Sequence, residues 1–240
     1  MDEQFLRTQM LLGDDAMARL QRSRVAVFGV GGVGGYVVEA LVRSGVGAID
    51  IIDADCVDVT NINRQLIALH STIGRPKVEV CRERMLDINP ECSVVAHQMF
   101  YLPENADAFD LKPFDYVIDC IDTVTAKIEL IRRCHALGVP LISSMGAANK
   151  LDPMGFRVSD ISKTQTDPLA RVLRRKLREL RIPRLLCVWS PELPRKPFAE
   201  TSSETKRSVP AAVAFVPSAA GLLIAATVIR NITEQTPPPH

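Results

Sequence analysis

Arg24-Val-Ala-Val-Phe-Gly-Val-Gly-Gly-Val-Gly-Gly-Tyr-Val-Val-Glu-Ala-Leu-Val-Arg-Ser-Gly-Val-Gly-Ala-Ile-Asp-Ile-Ile-Asp-Ala-Asp55 is the stretch that decides the fold. Val25 to Phe28 is a short apolar run that passes into glycines at 29, 31, 32 and 34. Val37, Val38, Leu41 and Val42 then recur at helical spacing, and Ala48 to Ile52 is a second apolar run ending on Asp53. The order is strand, turn, helix, strand. Glycines at such a turn let backbone N–H groups approach a phosphate, and the positive end of the following helix favours the same anion. Asp53 stands where a carboxylate can hold a ribose. A glycine-rich turn alone also serves tight packing; strand, helix and terminal acid together make this one a nucleotide cradle.

Downstream, strands continue to alternate with helices. A helix opens at Pro76 and Lys77 and runs to Ile88, Ser93 to His97 reads as a third strand, and a short helix follows Pro103. Phe114 to Cys120 is a fourth strand, the next helix spans Val124 to Leu137, and Leu141 to Met145 is a fifth strand. Phe156 to Asp160 and Leu185 to Trp189 are further strands, separated by a helix from Asp167-Pro168 to about Arg181. This alternation predicts a single α/β domain over 1–240 with a Rossmann-like, doubly wound, mainly parallel sheet. Residues 1–22 form a helical arm ahead of it, in which Asp14 or Asp15 can cap the second helix, and a C-terminal extension follows. Ser190 to Ser208, rich in Pro, Ser and charge, reads as a mobile loop, and 233–240 as a frayed tail.

Composition narrows the function classes. Lys plus Arg (29) nearly balance Asp plus Glu (28), so any basic site must be local. The six cysteines (56, 81, 92, 120, 134, 187) show no CxxC pair, which suits free thiols in a reducing cytoplasm and no zinc. Met1-Asp-Glu-Gln lacks the features of a signal peptide. Val209 to Ile229 carries no charge, but Pro217 and Ser218 divide it. We read a short strand over 213–216 and a buried core helix over 219–232, too short to span a membrane.

The polar residues gather on one rim. Asp55-Cys-Val-Asp-Val-Thr-Asn-Ile-Asn-Arg-Gln65 follows a strand's carboxyl end and presents Asn61, Asn63, Arg64 and Gln65, groups suited to a polyphosphate and a ribose. Lys77 in the first turn of its helix opposes the dipole, a cost that makes sense if an anion sits there; the alternative is a plain surface lysine. Asp122, just past the fourth strand, suits an Mg²⁺ beside a polyphosphate or the cap of the next helix. Arg171, Arg174, Arg175, Arg178 and Arg181 lie opposite the stripe Leu169, Leu173, Leu177 and Leu180, either as a solvated face or as a contact to nucleic-acid phosphates. Arg7 in the arm reads as a solvated cation. No tyrosine has lysine four residues on (Tyr36, Tyr101 and Tyr116 precede Ala40, Asn105 and Cys120), so one common hydride-transfer arrangement of NAD enzymes is absent.

Gly29-x-Gly31-Gly32-x-Gly34, Asp53-x-Asp55, Asn61-Ile-Asn-Arg-Gln65, Lys77 and Asp122 together resemble the adenylating proteins related to ubiquitin-activating enzyme. The resemblance implies ATP on the glycine turn and Asp53 on its ribose. It also implies Asn61, Arg64, Gln65 and Lys77 on the phosphates, and Asp122 on Mg²⁺. It further implies a homodimer in which Arg7 reaches the partner's site. Thr164-x-x-Asp-Pro-Leu-Ala170 and Val213-Ala-Phe-Val-Pro-Ser-Ala-Ala-Gly221 resemble the tRNA threonylcarbamoyladenosine dehydratase branch. That branch implies a tRNA substrate and a sulfur-transfer partner, a cysteine desulfurase or sulfur acceptor. The alternative is the branch that adenylates ubiquitin-like sulfur carriers, whose members hold zinc between two CxxC pairs.

Overall fold

The computed structural model describes residues 3–198 and 210–234. Seven strands form one sheet: β1 (Arg24–Phe28), β2 (Ala48–Ile52), β3 (Ser93–His97), β4 (Tyr116–Asp119), β5 (Leu141–Ser144), β6 (Arg157–Asp160) and β7 (Leu186–Trp189), in the order β3-β2-β1-β4-β5-β7-β6. All pairings are parallel except β6 with β7. The helices are α1 (Leu6–Leu12), α2 (Asp14–Arg22), α3 (Gly34–Arg43), α4 (Lys77–Ile88), α5 (Val124–Leu137), α6 (Pro168–Glu179) and α7 (Phe215–Thr233). β1 and β4 are both central, and β4 and all of β1 after Arg24 are buried, as strands flanked by helices on both faces must be. Strand order reverses between them, and that switch point opens the crevice in which the site lies.

Two apolar layers clamp the sheet. Leu20 of α2, Val37 and Leu41 of α3 and Ile224 and Val228 of α7 pack with Val25, Val27, Ile49 and Ile51 on one face. Leu130 of α5 and Leu173 and Leu177 of α6 cover the other, with Phe28, Val117 and Trp189.

Several expectations are corrected. There is no strand over 213–216, because α7 already begins at Phe215. Pro217 is the third residue of that helix, where the backbone N–H has no partner within the helix, so proline removes no bond there. The resulting helix of 19 residues is long and apolar enough to cross a membrane, yet it packs with Val216, Ala220, Ile224 and Val228 fully buried against the domain. Asp14 and Asp15 lie in the first turn of α2 and do not cap it; Gly13 holds the cap position. Thr233, read as the start of the tail, closes α7, and its carbonyl accepts from Arg19. Residues 190–195 are anchored, with Glu192 accepting from the backbone N–H of Leu151 and Asp152. The remainder of the stretch read as mobile falls largely on 199–209, outside the described residues, as does 235–240.

The connection after β4 is fixed by an ion pair that the sequence did not advertise. Lys127, in the second turn of α5, and Asp119, the last residue of β4, are both wholly buried. The Lys127 ammonium donates to Asp119 Oδ2 at 2.9 Å, Ser143 Oγ at 3.2 Å and the Ser144 carbonyl at 2.9 Å, so each of its three protons has an acceptor. Asp119 accepts in addition from Ser143 Oγ at 2.6 Å and from the Ile121 N–H at 3.1 Å. The network ties the ends of β4 and β5 to α5 and sets the backbone just before Asp122. Lys127→Ala strands a buried carboxylate, and urea denaturation should show a loss of about 3–5 kcal/mol. The paired change Asp119→Asn with Lys127→Met should recover part of it. A loss under about 1 kcal/mol in the single variant would contradict this role for the pair.

Candidate active site

The turn after β1 is built by exclusion of side chains. Gly29 has φ at 88°, and a Cβ there would stand 2.8 Å from the Cys120 carbonyl oxygen at the end of β4. A Cβ at Gly34 would fall 1.8 Å from the Gly29 carbonyl oxygen. Only glycine lets α3 start this close to the strand. No side chain caps α3; the Gly35 and Tyr36 N–H groups donate to the Gly31 and Val33 carbonyls at 3.0 and 3.1 Å, so the helix start offers the crevice the positive end of its dipole.

That crevice is a cavity of about 410 Å³ whose lining includes Gly29, Gly31, Gly32, Asp53, Asp55, Asn61, Arg64, Gln65, Lys77 and Asp122. These are the residues read from the sequence as the nucleotide site, less two. Gly34 packs behind the turn. Asn63 is exposed and outside the lining, its amide donating to the Ala212 carbonyl at 2.9 Å and accepting from Arg64 Nη1 at 2.9 Å. Of the 61–65 turn, Asn61, Arg64 and Gln65 line the cavity, while Ile62 packs on the core and Asn63 is exposed.

Each charged group has a defined setting. Lys77 is 5% exposed, which removes the plain surface reading, and its ammonium donates to Asp55 Oδ2 at 2.7 Å. Asp55 is thus the counter-ion of Lys77 and is itself exposed. Asp53 accepts from the Val30 N–H at 2.8 Å and the Asp55 N–H at 2.9 Å. Burial pushes the Asp53 carboxyl up from its ordinary value, opposed by Lys77 and by those two N–H groups. Arg64 is fixed through Nη1 alone, to the Thr60 carbonyl at 2.8 Å and to Asn63. Asn61 is buried and closes its own turn, its side chain accepting from the Asp58 N–H at 3.1 Å. Asp122 is exposed at the cavity, bonded only to Thr123 Oγ1 at 3.3 Å, and does not cap α5, whose cap position is Thr123.

The apolar part of the lining was not found from the sequence. Phe28, Ile52, Met99, Phe100, Tyr101, Leu102 and Ile121 make an apolar recess. Its outer wall, 99–102, follows the carboxyl end of β3, and an apolar loop at that position was the available signal. A cavity lined both by two cations and a glycine turn and by apolar and aromatic side chains suits a nucleotide with its phosphates and its base.

The remaining expected residues lie elsewhere. Arg7 is exposed on α1, outside the cavity wall. On α6, Arg171, Arg175 and Arg178 are exposed, as is Arg181 just beyond the helix end. Arg174 leaves that face: half-buried, it donates to the Thr164 carbonyl at 2.9 Å and to Thr164 Oγ1. Leu180 is 42% exposed, because α6 ends at Glu179 and the chain turns left-handed at Arg181, so it drops out of the buried stripe.

The family model for ThiF matches residues 5–240. The chain belongs to the ThiF family. Among curated relatives in this family, tRNA threonylcarbamoyladenosine dehydratase of Bacillus subtilis is 46% identical over 239 residues, covering 95% of this chain and 94% of that protein. Among solved structures, the Escherichia coli tRNA N6-threonylcarbamoyladenosine dehydratase in complex with ATP superposes with a TM-score of 0.88 at 34% identity, covering 97% of this chain and 95% of that one. The molybdopterin-synthase adenylyltransferase of Escherichia coli is 34% identical over 138 residues, 58% of this chain and 54% of that protein. The seven-stranded, mostly parallel sheet is therefore the ThiF arrangement, and the resemblance to the dehydratase branch extends over almost the whole chain.

The thiols divide sharply. Cys120 lines the cavity and Cys187 lies within β7, and burial pushes both up to about 12. A thiol at that value holds almost no thiolate near neutrality and is a poor nucleophile. Only Cys56 is exposed. Alkylation at neutral pH, read by peptide mass spectrometry, should therefore label Cys56 first. Equal labelling of Cys120 or Cys187 would contradict this site's thiol chemistry.

Proposed function

We propose that the cavity binds ATP, that the enzyme adenylates a carboxylate, and that the carboxylate is the threonyl group of threonylcarbamoyladenosine at position 37 of tRNA, which is cyclised with loss of water. The observation that carries this reading is that Arg64, Lys77 and the glycine turn ahead of α3 line one cavity together with Phe28, Met99, Phe100 and Tyr101. The likeness in sequence and structure to two tRNA threonylcarbamoyladenosine dehydratases, one with ATP bound, supports the substrate.

The chemistry follows from the groups present. A carboxylate oxygen attacks the α-phosphorus, the bond to the bridging oxygen breaks, and pyrophosphate leaves. Negative charge builds on the phosphoryl oxygens, and the Arg64 guanidinium, the Lys77 ammonium and the positive end of α3 stabilise it. Asp53 holds the ribose. An internal nucleophile of the same modified base then attacks the acyl carbon, and AMP departs with the oxygen that came from the carboxylate. Because that nucleophile is tethered beside the carbonyl, its effective concentration is high and no cysteine intermediate is needed.

Mg²⁺ fits Asp122, an exposed carboxylate at the cavity, and among the described residues no cluster of three or more His, Cys, Asp or Glu side chains offers a metal cage. The ion would take most of its ligands from phosphates and water, and there it would neutralise phosphate charge. Arg171, Arg175, Arg178 and Arg181 form the surface for the tRNA backbone, without Arg174. Leu6, Met10 and Leu11 on α1 are exposed at 47%, 79% and 84%, which supports a homodimer in which they are covered and Arg7 reaches the partner's cavity. A sulfur-transfer partner and a cytoplasmic location complete the reading.

Incubation with ATP, Mg²⁺ and tRNA carrying the modified base should yield AMP and a nucleoside lighter by one water. Lys77→Ala and Arg64→Ala should each slow turnover by about ten- to a hundredfold, the loss of a charge-assisted contact. Arg171→Glu, Arg175→Glu and Arg178→Glu together should abolish tRNA binding and spare ATP binding. Adenylation of a carrier protein's C-terminal glycine with tRNA untouched would shift the assignment to the sulfur-carrier branch, and tight NAD binding with no response to ATP would end it.

A further inference from the structure

Asn149 adopts φ of 60°, one of three non-glycine residues among those described with positive φ. Asparagine tolerates this region better than most residues, and a position held there asks for a reason. The turn places Asn149 as a clamp. Its N–H donates to the Ala211 carbonyl at 2.7 Å, its Oδ1 accepts from the Ala211 N–H at 2.8 Å, and its own carbonyl accepts from the Arg195 N–H at 2.7 Å.

Both sides of this clamp belong to the cavity wall. Asn149 follows Ala147 and Ala148, and Ala211 precedes Ala212; all three flanking alanines line the cavity. The Ala212 carbonyl is in turn the acceptor for Asn63 Nδ2, and Asn63 Oδ1 accepts from Arg64 Nη1. A continuous line of hydrogen bonds thus runs from the loop after β5, through the backbone at 211–212, to the guanidinium of Arg64. The Asn63 amide fits in one orientation only, since the reverse would set donor against donor and acceptor against acceptor. With Nη1 committed to Thr60 and Asn63, the Nε and Nη2 protons of Arg64 remain for a ligand.

We infer that Asn149 and Asn63 are positioning residues, which hold the 210–214 segment against the cavity and through it fix the Arg64 guanidinium. This rests on the reading of Arg64 as a phosphate ligand. An arginine tip is costly to order, so holding it before the ligand arrives lowers the entropy lost on binding. Asn149 touches no reacting atom; it acts at a distance through Ala211 and Asn63.

The test is ATP binding by calorimetry, with thermal melting alongside. Asn149→Gly keeps the backbone conformation and deletes only the side-chain bond. Asn63→Ala, at an exposed position, deletes both bonds of the second link. Each should weaken ATP binding by about three- to tenfold, the loss of a neutral hydrogen bond. Asn149→Asp, which keeps an acceptor for the Ala211 N–H and tolerates positive φ, should restore it. In an Arg64→Ala background, Asn149→Gly should add nothing. A staple that serves only the loop would lower the melting temperature with ATP affinity unchanged, or weaken binding additively with Arg64→Ala, and either result overturns the relay. If Arg64→Ala itself leaves ATP affinity intact, the phosphate reading falls and the relay with it. If Arg64→Ala weakens binding and neither asparagine variant does, the relay alone falls.

Discussion

The contact on which this molecule depends is the one between the Gly29 carbonyl and the Cα of Gly34. A methyl group at Gly34 would lie 1.8 Å from that oxygen, so the pair admits no side chain at all. Because it is so close, α3 begins directly over the end of β1, at the point where β1 and β4 part and the sheet reverses its order. The positive end of α3 therefore faces the same crevice that receives the ends of β2 and β4, and with them Asp53 and Asp122. A helix displaced by even one side chain would leave these groups on the rim without a shared ligand. The glycines matter less as phosphate-binding residues in their own right than as the absence that brings the rest together.

A second constraint is electrostatic. Lys77 is nearly buried beside an apolar layer, and an unpaired ammonium there would be costly. Asp55 meets the need from an exposed position, its Oδ2 2.7 Å from the ammonium, and the lysine lines the cavity. Arg64 is treated in the same manner by neutral groups, the Thr60 carbonyl and the Asn63 amide. Neither cation is neutralised by a buried carboxylate that a phosphate would have to displace. Charge that must appear in the transition state finds cations already placed, which is how preorganised sites lower barriers. The wholly buried pair of Lys127 and Asp119 is of another kind: it binds no ligand and secures the backbone that leads into Asp122.

How much of this could be read from the sequence follows from how local each signal was. The cradle was legible because strand, glycines, helix and acid are consecutive, and Arg64 and Lys77 were legible as cations next to strand or helix ends. Asn63 stands in the same pentapeptide and reads as a ligand group; only the fold shows its amide spent on Ala212 and Arg64. Arg174 was placed with its neighbours by helical angle, and Thr164, ten residues earlier, withdraws it from that face. The strand expected at 213–216 failed because proline in a first turn costs a helix nothing, so Pro217 marked no boundary. The apolar recess and the buried ion pair are assembled from loops and strand ends far apart in the chain, and periodicity carries no information about such meetings.

The central claim is that the carboxylate of the substrate becomes bonded to the α-phosphorus of ATP, and oxygen labelling tests it most directly. With tRNA whose threonylcarbamoyladenosine carries ¹⁸O in the carboxylate, mass spectrometry of the products after one turnover should find one ¹⁸O in AMP and none in pyrophosphate. AMP free of label, with the lost oxygen recovered in water or in phosphate, would contradict attack of the carboxylate on the α-phosphorus.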